Sequence, residues 1–342
     1  MYKLTSGYIN LTRHAMRPIP SLTAPAAPPK PLLGISSCLI GAEVRFDGQH
    51  KRDAYIASTL SQFFDFVPIC PEVAIGLGIP RQPIRLVRIG EAVRVRGVRT
   101  PELDVGDALR DYAVSMAARL TDLSGYIVKA RSPSCGMERL KVYDEHGRPL
   151  KSTGSGFYTQ AFRAHQPLLP VEEEGRLGDP ALRENFIERV FVYHRWRELL
   201  ATGITPARLV EFHTRHKLML LAHNQAAYRR LGRLVAQAGS QPLAALAETY
   251  ALALMTALAR IATPRQHVNV LQHLTGYLRD HLDRDDRAEL LESIADHGRG
   301  LLPLIVPITL LKHHFRRHPH PYVAGQWYLA PYPAELMLRN RV

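Results

Sequence analysis

Near Asp179 the hydrophobic pattern changes period, and that change restricts the chain to two architectures joined end to end. Upstream, from Pro31 to about Pro170, short apolar runs alternate with helical periodicity, which reads as a sheet with crossover helices. PLLGISS at residues 31–37, the run 66–69 and GYIVK at 125–129 read as strands, while 53–64 and 106–123 carry helical spacing. Downstream no strand signal recurs. Long amphipathic stretches take over at 180–200, 206–238, 241–262, 264–282 and 287–297. Several of them open at a proline, which the first helical turn tolerates, and Gly203, Gly239 and Gly298 supply stops. The expectation is an α/β N-terminal domain, a Rossmann-like sheet with crossover helices over residues 31–175, followed by an all-α C-terminal domain over 180–330. The boundary falls in the acidic turn around Glu172–Asp179. Residues 1–30 hold five of the six prolines between Pro18 and Pro31 and read as a flexible arm without a packed face.

A chain of 342 residues suits two such cores. No apolar run approaches the roughly 18 residues that span a bilayer, so the sequence excludes a membrane-spanning helical protein. Three cysteines cannot build a disulfide framework, and a chain of this size does not need one, which points to a reducing cytoplasm. The formal charge of +13 is shared by both halves and would attract a polyanion, most commonly nucleic acid. Arg81, Arg85, Arg88, Arg94, Arg96 and Arg99 concentrate part of it in the first half. Arg229, Arg230, Arg233, Lys312, Arg316 and Arg317 do so in the second.

All three cysteines lie in the first half, and each follows an expected strand: Cys38, Cys70 and Cys135. In an open α/β sheet ligands bind at the carboxyl ends of the strands, so residues far apart in sequence can meet there. Isolated cysteines are more often small buried hydrophobes. These three, however, each have a glycine or proline within three residues, in loops where backbone amides can approach a thiolate-bound metal. Three thiolates have two natural uses. Zinc would add a histidine and close a structural site; an iron–sulfur cube would keep three irons ligated and leave the fourth open to substrate. No cysteine is closely paired with a histidine, which tips the spacing slightly toward the cluster and leaves zinc open.

The segments GISSCLIGAEVRFDGQHK, VPICPEVAIGLGIPRQPIRL, IVKARSPSCG and STGSG resemble the 2-thiouracil desulfidase family over roughly residues 31–170. The stretches EEEGRLGDPALRENFIERVF, FHTRHKLMLLAHNQAAYRRLG and HVNVLQHLTGYL look like a helical domain often fused behind it. The fused arrangement is similar to the desulfidases that act on 4-thiouridine in tRNA. What the resemblance implies is a [4Fe–4S] cluster held by Cys38, Cys70 and Cys135, with one open iron that takes the thiocarbonyl sulfur. The reaction is then a non-redox desulfuration in which water replaces sulfur. Catalytic assistance is implied from Glu72 of Cys-Pro-Glu and Ser132 of Ser-Pro-Ser-Cys, with Ser134 as a possible substitute and substrate contact. On chemical grounds a carboxylate two residues from a ligand is placed to move the proton of water, while a plain helix-start acid is the bland alternative.

Arg45, Asp47 and Lys51 follow the first cysteine loop and are candidate contacts to base, ribose or phosphate, although Asp47-Gly48 is equally a tight-turn signal. Gly154 and Gly156 could cradle a phosphate, but a helix-start turn is the simpler account. His213, His216, His223, His313, His314, His318 and His320 invite a second metal, yet no nearby carboxylate or cysteine completes a set, and core or RNA-facing histidines fit better. The expected partner is thiolated tRNA, bound in part by the helical domain. Desulfuration of free 2-thiouracil or a thionucleoside is the alternative within the enzyme class. Outside it stands a non-catalytic RNA-binding protein with a structural or sensing metal site.

Overall fold

The computed structural model describes residues 30–341, so the expected N-terminal arm lies almost wholly outside the described residues. The α/β class with a following helical region is what the structure has. Strands β1 (Leu32–Ser36), β2 (Asp65–Ile69), β5 (Gly125–Val128) and β8 (Val171–Glu173) form one parallel sheet in the order β2-β1-β5-β8. Between them run a short helix α1 (Pro71–Ala74), α2 (Gly106–Arg119) and α3 (Phe157–His165). β1 and β5 are almost wholly buried, as central parallel strands covered on both faces must be.

A second sheet was not expected. β3 (Ile84–Ile89), β4 (Ala92–Gly97), β6 (Leu140–Tyr143) and β7 (Pro149–Gly154) make a mixed four-stranded sheet in the order β4-β3-β6-β7. In β4 and β6 arginine or lysine alternates with aliphatic residues, and Arg85 of β3 lies level with Arg96, so one face is largely charged and the strands lack an apolar block. Leu86, Val95, Leu140 and Val142 on the other face are buried in the core. The stretch expected as one regular helix over 53–64 is instead a π-helical turn at Tyr55–Thr59 followed by a 3-10 turn at Leu60–Gln62.

The helical region comprises α4 (Pro180–Ala201), α5 (Pro206–His223), α6 (Gln225–Val235), α7 (Leu243–Leu258), α8 (Pro264–Gly276), α9 (Arg284–Gly298) and α10 (Ile305–Arg317). Three starts are sequence-encoded: Asp179, Thr205 and Thr263 each accept backbone N–H bonds ahead of a proline in the first turn. The single helix expected over 206–238 is broken because Asn224 turns extended, and its side chain accepts from the amide of Ala227 to cap α6. The expected acidic boundary turn is partly strand: Glu172 and Glu173 belong to β8 and are buried.

α4 is the common wall of the two halves. It buries Phe186, Ile187 and Val190 against Leu33, Ile35 and Ile127 of the parallel sheet. A turn further on, Trp196 packs against Phe212 and Tyr250 of the bundle. No helix among the described residues is long and apolar enough to cross a membrane.

Candidate functional site

The three cysteines follow three neighbouring parallel strands. β1 lies between β2 and β5, with Ser36 level with Ile69 and Ile35 level with Ile127. Cys38 comes two residues after β1 ends, Cys70 directly after β2, and Cys135 at the end of the loop that leaves β5. Because the strands are parallel and in register, their carboxyl ends open on the same side. Cys38, Cys70 and Cys135 accordingly line one cavity of about 440 Å³.

The thiols are free and largely removed from water. Burial pushes the Cys38 thiol up to about 11, against the pull of the Lys129 ammonium. Burial also raises Cys135, assisted by Glu72 and by the other two thiols and opposed by a hydrogen bond with Ser36. Cys70 also pushes the Cys38 thiol up electrostatically. Cys70 Sγ makes a 3.7 Å contact to the carbonyl of Val44.

Beside the thiols Glu72 is fixed from two directions. Arg81 donates from Nε and Nη2 to Oε2 at 2.9 and 2.8 Å, and the guanidinium also holds the Val44 carbonyl at 2.9 Å. On the other side Ser134 Oγ donates to Oε1 at 2.9 Å, with Ser132 Oγ at 3.5 Å. Ser132 Oγ in turn accepts from the amides of Ser134 at 3.3 Å and Cys135 at 3.1 Å. A hydroxyl has two acceptor sites and one proton; with both acceptor sites used by amides, the Ser132 proton is left for Glu72 or for a molecule in the cavity.

Ser132, Glu72, Arg45 and Lys51 stand on the cavity wall. Ser134 does not: it is completely buried behind Glu72. Asp47 is also off the wall, where its carboxylate accepts from Arg45 Nε at 3.3 Å and from the amide of Gln49 at 3.2 Å, the tight turn its Asp-Gly pair suggests. Arg81, counted above among arginines for a polyanion, is turned inward and is only 5% exposed at its side chain. Lys129 and Arg131, not singled out from sequence, are also on the wall.

The segment that reads EEEGRLGD holds the cysteine loops from behind. Glu173 accepts from the amide of Met137 at 2.7 Å, and Glu174 accepts from the amide of Ala130 at 2.6 Å while pairing with Lys129. Gly156 explains the STGSG segment. A Cβ there would lie 2.5 Å from the carbonyl oxygen of Ser134 and 2.8 Å from the amide of Cys135. The glycine therefore starts α3 pressed against the Cys135 loop, which Thr159 Oγ1 also holds through the Cys135 carbonyl at 2.6 Å.

Of the histidines singled out from sequence, His213, His216, His223 and His314 are buried in the core, while His313 is exposed and His318 and His320 are half-buried. His213 meets the Tyr250 hydroxyl at 3.2 Å, His216 stacks on Phe212 at 4.1 Å, and His223 pairs with Glu188 at 2.6 Å. Among the described residues no group of three or more His, Cys, Asp or Glu side chains closes around a single metal ion. No histidine among the described residues lines the cavity with the three thiols, so a closed zinc site lacks its usual nitrogen ligand, whereas three thiolates with one position left open fit an iron–sulfur cube.

Two families match separate parts of the chain. Residues 33–174 match the family described as 2-thiouracil desulfurase, and residues 217–333 match a family described only as a protein of unknown function, DUF1722. The chain is 36% identical over 153 residues to "Uncharacterized protein YbgA" of Escherichia coli (strain K12), covering 44% of this chain and 90% of that protein. It is 30% identical over 131 residues to "Uncharacterized protein YbbK" of Bacillus subtilis (strain 168), covering 36% of this chain and 83% of the relative. A solved structure of the [4Fe-4S]-dependent thiouracil desulfidase TudS shares 30% identity over 44% of this chain and 94% of its own, with a TM-score of 0.34. Three cysteines and a fixed glutamate at the carboxyl ends of a parallel sheet thus sit inside the matched segment, and the chain belongs to the 2-thiouracil desulfurase family, with a DUF1722 domain behind it.

Proposed function

We propose that this protein is a non-redox desulfidase that replaces the sulfur of a thiolated pyrimidine by oxygen, that its substrate is 4-thiouridine in tRNA, and that it works in the reducing cytoplasm. The observation that carries this reading is the convergence of Cys38, Cys70, Cys135 and Glu72 on one cavity. The donor set fits a [4Fe–4S] cluster held by the three thiolates. When bound, such a cluster supplies a Lewis-acidic iron, without a protein ligand, for the thiocarbonyl sulfur.

The chain's own residues account for the remaining work. Arg81 fixes one oxygen of Glu72, so the other is presented in a defined direction to take a proton from water. Water then forms the new C–O bond, the C–S bond breaks, and the proton returns to the departing sulfide, with no net oxidation. Ser132, its proton free of the backbone, can donate to the substrate or to Glu72. Ser134 acts as a positioning residue through Glu72. Arg45, Lys51 and Lys129 bring positive charge to the wall where the base and its ribose would enter.

A polynucleotide substrate is supported by the net charge of +13 and by the size of the cavity. A volume of this order admits a single nucleoside but no duplex, so a base in tRNA would have to leave its stack. The test is sulfide release from anaerobically reconstituted protein given thiolated tRNA or free 2-thiouracil. Sulfide from tRNA, with one uridine per thiouridine lost, is expected; sulfide from free 2-thiouracil alone moves the substrate to the free base, and sulfide from neither overturns the desulfidase reading. Glu72→Gln should lower turnover about 10²- to 10⁴-fold while cluster absorbance stays unchanged. Full activity in that variant removes Glu72 from the reaction.

A further inference from the structure

Resting on the reading of the cavity as a base-processing site, we propose that a groove on the charged face of the second sheet is the track for the ribose-phosphate backbone of single-stranded RNA flanking the target uridine. The groove has a volume of about 580 Å³ and shares Ile84, Arg131 and Pro133 with the cysteine cavity, so it leads out of the cavity mouth. Its other walls include Arg85, Arg139, Lys141 and Tyr143; no carboxylate lines it. Strand alternation puts Lys141 and Tyr143 on the face opposite the buried Val142, while Leu86 and Leu140, largely buried, also line the groove.

Charge pairing separates this groove from the rest of the same sheet. Arg94 has Asp104 and Asp107 within 4.0 Å, and Arg96 has Asp104 at 3.7 Å. Arg85 packs over the Tyr143 ring at 5.3 Å, and its buried Nε, like that of Arg96, lacks a hydrogen-bond partner among the described residues; unlike Arg96, it has no carboxylate within 4.0 Å among them. An orphaned guanidinium donor beside an exposed groove calls for an anionic acceptor, and phosphate matches its geometry. Arg139 touches only an exposed Glu138, at 4.0 Å.

The backbone supplies an independent observation. Arg131 and Arg139 bracket the Cys135 loop, and both are left-handed, with φ of 61° and 56°. Non-glycine residues in that region carry strain of order 1 kcal/mol, and such strain clusters at ligand sites. Here both strained residues are arginines of one groove. Tyr143 adds an aromatic face on which a neighbouring base can stack. Cations without carboxylates, an aromatic ring and continuity with a base-sized cavity together favour a polynucleotide strand over an acidic peptide.

The experiment uses the full chain carrying Arg139→Glu and Lys141→Glu, both exposed, with Arg94→Met as a control whose charge is already matched. Binding of an unthiolated single-stranded RNA of about eight nucleotides is followed by fluorescence anisotropy across salt. Sulfide release is measured in parallel from thiolated tRNA and from free 4-thiouridine. The double variant should bind RNA at least about tenfold more weakly, with the salt slope reduced by about 0.7 per lost phosphate contact. Its kcat/KM should fall for tRNA and stay within about twofold for the nucleoside. Unchanged RNA binding overturns the proposal, as does competition by polyglutamate equal to that by RNA. Equal losses on tRNA and nucleoside also overturn it, by making the groove part of the catalytic wall. RNA binding that depends on Arg139 and Lys141 without sulfide release from any substrate leaves the groove standing and defeats the desulfidase reading instead.

Discussion

The two halves bury polar groups to opposite ends. In the α/β half, Cys38 and Cys135 are buried beside a cavity, and burial raises both thiols. In the helical half one buried network closes on itself. Glu188 accepts from His223 Nε2 at 2.6 Å and from Arg339 Nη2 at 3.2 Å, Arg339 also bonds Glu184 at 2.8 Å, and His267 meets the Tyr328 hydroxyl at 2.9 Å. Burial alone therefore does not mark a functional site. What marks it is a set of thiols and a fixed carboxylate that converge on one cavity.

The contrast can be broken most strongly at Cys135. Cys135→Ala should abolish iron incorporation and sulfide release while leaving the helical half folded. Both tryptophans, Trp196 and Trp327, lie in that half, so their fluorescence reports it separately. Loss of the tryptophan transition along with the iron would mean that the two halves are one cooperative unit.

The converse substitution, Glu188→Gln, strips His223 and Arg339 of a buried counter-charge. It should cost about 3–5 kcal/mol in the tryptophan-monitored transition. Sulfide release per folded molecule should not change. A loss of turnover without unfolding would assign the helical network to the reaction.

Gly156→Ala tests the contact between α3 and the Cys135 loop. Its methyl group would need the loop to move, at about 1–3 kcal/mol, with weaker iron retention. Unchanged iron content would show that the loop yields without harm to the site.

Acid should act selectively on the helical half. Burial holds His213 down at about 4 and His267 at about 3, with His216 also well below its ordinary value. Below about pH 6.5 the unfolded chain takes up protons that the folded one refuses, so stability falls between about pH 6.5 and 4. His223 has the opposite sign: burial opposes its charge, but Glu188 prevails and raises it, so its contribution is present in acid and lost as pH rises through the raised value. Its partner Glu188 is drawn down to about 2 by His223 and Arg339 despite burial, and supports the fold until pH falls well below 4.5. His267→Gln should make the acid slope shallower by about one proton; an unaltered slope would place the titration elsewhere.

Much of the site was legible because it lies in contiguous motifs. Cys38, Cys70, Glu72, Ser132 and Cys135 all sit just beyond strands whose apolar runs are readable, and the parallel arrangement follows from the alternation of strand and helix. The second sheet was not legible, since its strands are half charged, and a charged alternation resembles loop as much as strand. Arg81 illustrates the same limit. Among five other arginines it looked like part of a surface field, and only the turn at residues 79–81 brings it back onto Glu72. Glu173 and Glu174 read as an acidic linker because no local pattern shows that their partners are amides at Met137 and Ala130.

The sequence by itself determined the two-part architecture, the three-cysteine inventory and the helix starts at Asp179, Thr205 and Thr263. Each is a matter of periodicity or of contacts within a few residues. Tertiary structure alone decided that the thiols share one cavity, that Ser132 faces it while Ser134 stands behind Glu72, and that Arg94 and Arg96 have carboxylates within 4.0 Å where Arg85 has none among the described residues. Those outcomes depend on strand register and on contacts between residues tens of positions apart, and side-chain partnership at such range is fixed only when the sheets close.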